Sequence, residues 1–152
     1  MMIKIIAIGK RHESWVREGI ETYSKRLRAP WNIEWILLPH SSSQGAIARQ
    51  NESQAILHTL KPDEYVILLD EKGQQLTSPA LLRQFQSLFI SSKQVVIVIG
   101  GAYGVSLPLQ ERANTVWSLS ALVFPHQLVR LLLVEQLYRM QQIAQGGKYH
   151  HE

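Results

Sequence analysis

Two hydrophobic rhythms alternate along this chain. Short runs such as Ile-Lys-Ile-Ile-Ala-Ile, Val-Ile-Leu-Leu and Val-Val-Ile-Val-Ile are apolar at nearly every position. Longer stretches between them carry apolar residues every three or four positions. The first rhythm belongs to strands covered on both faces, the second to amphipathic helices. Strands are predicted at 2–8, 33–38, 65–69, 95–99 and 115–119. Helices are predicted at 14–27, 46–60, 78–89, 108–113 and 126–143. Ser14 reads as an N-cap, and Pro79 suits the opening turn of the third helix. Residues 71–74, Glu-Lys-Gly-Gln, read as a turn. Residues 144–152 form a polar tail.

Strands alternating with helices imply an α/β domain with a mostly parallel sheet flanked by helices. No repeat or composition break divides it, so 1–152 reads as one domain. In such sheets ligands sit beyond the carboxyl ends of the strands. Three places therefore matter: Asp70, the glycine-rich loop 100–104, and the stretch from Ser118 to His126.

Composition narrows the class. The chain has 152 residues, 45% hydrophobic and 18% charged, which is globular usage. No apolar run approaches the roughly 20 residues that span a bilayer. The start alternates like a strand and lacks the features of a leader, so a cytoplasmic protein is expected. With no cysteine, thiolate metal sites and cysteine nucleophiles are excluded. Net charge is +4. The excess lies early: Lys4, Lys10, Arg11, Arg17, Lys25, Arg26 and Arg28 face only Glu13, Glu18, Glu21 and Glu34 in the first forty residues. Such a bias suits a phosphate-bearing partner.

The candidate chemistry sits in the second half. Gly100-Gly101-Ala102-Tyr103-Gly104 follows a buried strand and allows close backbone approach to a ligand. It matches neither the dinucleotide fingerprint nor the P-loop, and a plain strand-to-helix turn is the competing reading. Asp70 could meet a ribose or amine, but a turn-stabilising role is favoured. The stretch from Ser118 to His126 is apolar without turn residues after Ser120. It needs a cover, either a ligand or a second subunit. His126 opens the last helix and is a candidate proton acceptor, set against a packing role. That helix is apolar around most of its circumference, which implies an interface and most simply a symmetric dimer. Arg139 can pair with Glu135 one turn earlier. Arg130 has no obvious partner. The tail Lys148-Tyr149-His150-His151-Glu152 could stack on an RNA base or fray. No spacing supports a zinc site from His126, His150 and His151, and no metal is expected.

Read in order, these pieces resemble one family. The carriers are the Ala-Ile-Gly-Lys start, Leu-Asp-x-x-Gly-x-x-x-Thr-Ser at 69–78 and Ile-Gly-Gly-Ala-Tyr-Gly at 99–104. They continue with Trp-Ser-Leu-Ser-Ala-Leu-Val-Phe-Pro-His and its helix at 117–139, and a terminal Tyr-His-x-Glu. Together they resemble the ribosomal large-subunit pseudouridine N3-methyltransferases of the SPOUT class over essentially the whole chain. The resemblance implies a SPOUT fold with a C-terminal trefoil knot, and a homodimer binding S-adenosylmethionine in the knot. It implies methyl transfer to N3 of a pseudouridine in 23S rRNA on the assembled ribosome, without a metal or a membrane. Residue by residue, it assigns cofactor contacts to Leu69, Gly101, Ser120, Ala121, Leu122, Val123, Phe124 and Pro125. His126, Arg139, Tyr149 and His151 fall where the family builds its substrate site. Two departures stand out. The family usually carries Arg or Lys where this chain has His151, and a basic loop where it has His40-Ser41-Ser42-Ser43-Gln44-Gly45. Other readings are the same fold acting on another rRNA or tRNA base, and a non-catalytic ribosome-binding scaffold. A receiver-like signalling module using Asp70 would need an acidic pair where Gly9-Lys10-Arg11 stands.

Overall fold

The computed structural model describes residues 2–151, so Glu152 of the tail motif lies outside the described residues. Strands are β1 (Ile3–Ile8), β2 (Ile33–Leu38), β3 (Tyr65–Gln75), β4 (Val95–Ile99) and β5 (Thr115–Ser118). Helices are α1 (Ser14–Ser24), α2 (Gly45–Thr59), α3 (Ser78–Ile90), α4 (Leu107–Arg112) and α5 (His126–Ala144). The strands form one sheet in the order β2-β1-β4-β3-β5, and every pairing is parallel. All five carboxyl ends therefore open on one edge of the molecule.

The two faces of the sheet explain the continuously apolar strands. Ile3, Ile5, Ala7, Ile67, Val95, Ile97 and Ile99 point into one core, with Phe85 of α3 and Leu133 and Leu137 of α5. Ile6, Ile8, Val66, Leu68, Val96 and Val98 point into the other, with Ile56 of α2 and Leu109 of α4. Side chains alternate across a strand, so only strands apolar at both parities can be sandwiched this way. A smaller seam of Val16, Ile20 and Val134 joins α1 to α5.

Three differences from the sequence expectation have local causes. The first helix ends at Ser24, short of the predicted residue 27, although Leu27 stays buried. There the Arg28 N–H donates to Gln141 Oε1 at 2.7 Å and Gln141 Nε2 donates to the Arg26 carbonyl at 2.9 Å, so α5 holds the chain in a non-helical path. The N-cap is Glu13 rather than Ser14, and its own N–H donates to Gln127 Oε1 at 2.9 Å. Finally, residues 71–74 are not a free turn. β3 pairs with β5 up to Leu69–Trp117, bulges, and pairs again at Gln74–Trp117 and Gln75–Ser118. A Cβ on Gly73 would lie 2.8 Å from the Trp117 backbone, so a glycine is needed for β3 to close back onto β5.

Candidate active site

A cleft of about 740 Å³ opens at the carboxyl edge of the sheet. That is within the usual range for a small-molecule site. Its floor is the ends of β3 and β4, with Leu68, Leu69 and Ile99; its walls are the loops that follow. Of the expected cofactor contacts, Leu69, Gly101, Ser120, Leu122, Val123 and Phe124 line it, and so does His126. Ala121 and Pro125 belong to the same loop without lining the cleft. Tyr103, from the glycine-rich loop singled out in the sequence, lines it too, as do Arg49, Lys72 and Gln110, which the sequence did not point to. Arg49 and Gln110 lie within α2 and α4, where the sequence carries no sign that they face a ligand.

The walls differ in construction. Asp70 Oδ1 accepts from the Lys72 N–H at 2.9 Å, so its carboxylate orders the β3 bulge, the turn role favoured from sequence. The loop after β4 is held from behind by α2. Ser53 Oγ accepts from the Ser106 N–H at 2.8 Å, while the neighbouring Glu52 Oε2 accepts from the Ser41 N–H of the loop after β2 at 3.0 Å. Glu52 is 4% exposed, and its Oε1 has no hydrogen-bond partner among the described residues. That oxygen occupies the space a Cβ on Gly101 would need. The glycine at 101 is therefore demanded from the protein side as well as by any ligand.

The loop after β5 has little holding it. Ser118 Oγ donates to the Ser120 carbonyl at 2.8 Å, and Ser120 Oγ accepts from the Leu122 N–H at 3.0 Å. Beyond these, Leu122 is 70% and Val123 79% exposed.

Below the cleft, Arg130 of α5 is the largest fully buried side chain, at 1% exposure. Its Nη2 donates to the carbonyls of Ile8 at 2.8 Å and Gly9 at 3.1 Å, and its Nη1 to the carbonyl of Arg11 at 3.1 Å. Burial pulls its pKa below the ordinary arginine range. Nη1 also lies 3.2 Å from His12 Nδ1. Burial, then the charges of Arg130 and Arg17, lower the His12 pKa, which keeps that imidazole neutral.

The remaining expected site residues stand apart from the cleft. Arg139 Nε and Nη2 donate to Glu135 Oε1 at 2.9 and 2.6 Å, the one-turn ion pair expected from spacing. The Arg139 guanidinium lies over the Tyr149 ring, 4.9 Å from its centroid, and Nη1 lies 3.1 Å from His150 Nδ1. The Tyr149 hydroxyl donates to the same Glu135 oxygen at 3.3 Å. Burial first, then Tyr23 and the Glu135 carboxylate, push the Tyr149 phenol above its ordinary range, so it stays protonated. The tail is thus folded back on α5, at least through His150, and His151 is exposed. His126 and Arg139 open and nearly close the same straight element, a separation of about 20 Å at 1.5 Å per residue. One chain does not bring them together. Among the described residues no cluster of three or more His, Asp or Glu could hold a metal ion, and no helix is long and apolar enough to cross a membrane.

An open cleft at the carboxyl edge of an all-parallel sheet, walled by a glycine loop and an apolar loop, defines a ligand-binding α/β domain. The family model described as predicted SPOUT methyltransferase matches residues 1–150. The chain belongs to the SPOUT methyltransferase family. Relatives named Ribosomal RNA large subunit methyltransferase H align along nearly its whole length. The protein of Desulfitobacterium hafniense is 38% identical over 99% of both chains. That of a Synechococcus species is 43% identical over 97% of this chain and 94% of its own. That of Hahella chejuensis is 36% identical over the full length of both.

Proposed function

We propose that this protein is a homodimeric, cytoplasmic rRNA methyltransferase that binds S-adenosylmethionine in the cleft and methylates N3 of a pseudouridine in 23S rRNA on the assembled ribosome. The observation that carries this reading is the cleft itself, lined by six of the eight residues expected to meet the cofactor. Its chemistry fits. Leu69, Ile99, Leu119 and Val129 offer an apolar bed for an adenine ring, while Ser120 and the backbone of the glycine loop offer polar edges. When bound, the cofactor supplies an electrophilic methyl group.

The residues of this chain then have three tasks. The cleft walls would hold the donor, with His126 among the residues that line the cleft. Holding two reactants in line replaces a bimolecular encounter and supplies a large share of the rate. The N3–H of the acceptor base is lost as the new bond forms, and His126, directly or through one water, takes that proton. The positive charge of Arg139 stabilises the negative charge that develops on a neighbouring carbonyl oxygen of the base. Tyr149, kept protonated, donates a hydrogen bond and offers a ring for stacking; exposed His151 adds an imidazole that carries charge only when protonated.

The separation of His126 from Arg139 requires that these tasks be shared between two chains. A two-fold axis that crosses α5 would set His126 of one subunit against Arg139, Tyr149 and His151 of the other. Support comes from the outer face of α5: Leu128 and Leu132 are half-buried and belong to no core cluster of the single chain, while Leu122 and Val123 extend the same uncovered surface. The knot implied by the family is part of this reading. The test is methyl transfer from radiolabelled S-adenosylmethionine to intact ribosomes that lack the modification. Label in 23S rRNA at a single pseudouridine is expected. Label on another base or on tRNA, or none at all, would overturn it.

A further inference from the structure

The loop after β1 carries chemistry that the cleft does not use. Lys10, Arg11 and Arg17 are exposed, and none has an ion-pair partner among the described residues. Trp15, in the first turn of α1, is 50% exposed. Its Nε1 donates to Glu13 Oε2 at 2.6 Å, which satisfies the indole's polar group and fixes the ring. The Glu13 carboxylate is engaged in that bond, so Glu18 is the remaining acidic side chain of this first stretch of α1.

The loop is rigid and next to the site. Gln127, the neighbour of His126, accepts from the Glu13 N–H and donates to the Arg11 carbonyl at 3.1 Å. Arg130 donates to the same carbonyl. Because every strand is parallel, this loop emerges on the same edge as the cleft, and β1 lies beside β4, whose loop forms one wall. Of the seven basic residues in the first forty, Lys10, Arg11 and Arg17 therefore stand on the edge that carries the cleft.

We infer that Lys10, Arg11, Arg17 and Trp15 form a preformed RNA-docking strip beside His126, the cations taking backbone phosphates and the indole stacking on an unpaired base. The inference rests on the rRNA methyltransferase reading and names the surface that reading needs. Exposed cations position a nucleic acid without reading sequence. A fixed, uncovered aromatic ring accepts any splayed base. An apolar partner would find little here, whereas Leu122 and Val123 offer it a surface across the cleft.

The test compares wild type with Lys10→Ala/Arg11→Ala, Trp15→Ala and Trp15→Phe. Substituting Arg11 leaves its carbonyl, and so the clamp from Gln127 and Arg130, in place. Each full-length protein is titrated against purified ribosomes over a salt series, with S-adenosylmethionine affinity and oligomeric mass measured in parallel. The double variant should bind ribosomes about tenfold more weakly near 0.15 M salt, with a salt slope shallower by about two. Trp15→Ala should lose about fivefold or more, and Trp15→Phe should recover most of that. Cofactor affinity and mass should not move. Ribosome affinity within about twofold of wild type for every variant would overturn the strip. A Trp15→Ala protein that falls to monomer while keeping its ribosome affinity would assign the indole to the subunit interface and also overturn it. If wild type methylates ribosomes and the variants bind like it, only this inference falls. If wild type transfers no methyl group, the reading beneath it falls as well.

Discussion

Two loops at the same edge of the sheet are built in opposite ways. The loop after β1 is tied down from within: Arg130 and Gln127 reach it from α5 and satisfy its carbonyls at Gly9 and Arg11 and its N–H at Glu13. The loop after β5 is tied mainly to itself through Ser118 and Ser120, and leaves Leu122 and Val123 in solvent. The first is finished in a single chain. The second leaves two large apolar side chains uncovered. That contrast separates what the fold supports by itself from what the proposed function assigns to a cofactor and a second subunit.

Breaking the finished loop should cost most. Arg130→Leu removes the buried side-chain donor to the carbonyls of Ile8 and Gly9 and leaves Gln127 alone on that of Arg11. Buried acceptors stripped of a charged partner cost about 3 kcal/mol or more. Urea unfolding should show a midpoint well below that of wild type, while a midpoint within error would mean that the clasp is not needed.

Next in size is the back wall of the cleft. Gly101→Ala places a methyl group on Glu52 Oε1, with an overpacking cost of about 1–3 kcal/mol. Glu52→Ala opens that space and frees the Ser41 N–H. The two changes should not add: the double variant should be more stable than the sum of the singles predicts, as residues in contact couple. Simple additivity would place the demand for glycine with the ligand alone.

A smaller effect concerns pH. His12 is held neutral against Arg130, with its folded pKa below its ordinary value of 6.5. The unfolded chain therefore takes up a proton that the folded chain resists. Stability should fall as pH drops below about 6.5 and continue to fall until the folded pKa is passed. His12→Asn should flatten part of that slope below about pH 6.5; an unchanged slope would place the sensitivity elsewhere. The smallest change is expected for Glu135→Gln. Its ion pair with Arg139 is partly exposed and contributes roughly 0.5 kcal/mol, so the protein should remain folded while Arg139 and Tyr149 lose their shared anchor and methyl transfer slows.

The finished part of the molecule was also the more legible in pattern, though not in partner. β1, β3 and β4 announce themselves because burial on both faces requires apolar residues at both parities. The apolar loop after Ser120 was conspicuous because uncovered loops are normally polar. Arg130 looked solitary because its acceptors are backbone carbonyls near residue 10, which no side-chain pattern records. Gly101 suggested a ligand, but no periodicity ties it to Glu52 in α2. The second half of β3 was hidden because Gly73 looks like a turn residue and acts instead as a gap for the Trp117 backbone. The resemblance implies Arg139, Tyr149 and His151 as partners of His126, and the length of α5 keeps Arg139 about 20 Å from His126 within one chain.

Mixed dimers test that last point most directly. His126→Ala and Arg139→Ala should each be inactive in methyl transfer to ribosomes. If the site is shared, a dimer with one chain of each kind retains one intact site of its two. Random exchange of equal amounts should then restore roughly one quarter of wild-type activity, given a two-fold assembly. Activity no greater than the sum of the two variants, in a mixture shown to contain mixed dimers, would contradict the account and return both residues to a site within one chain.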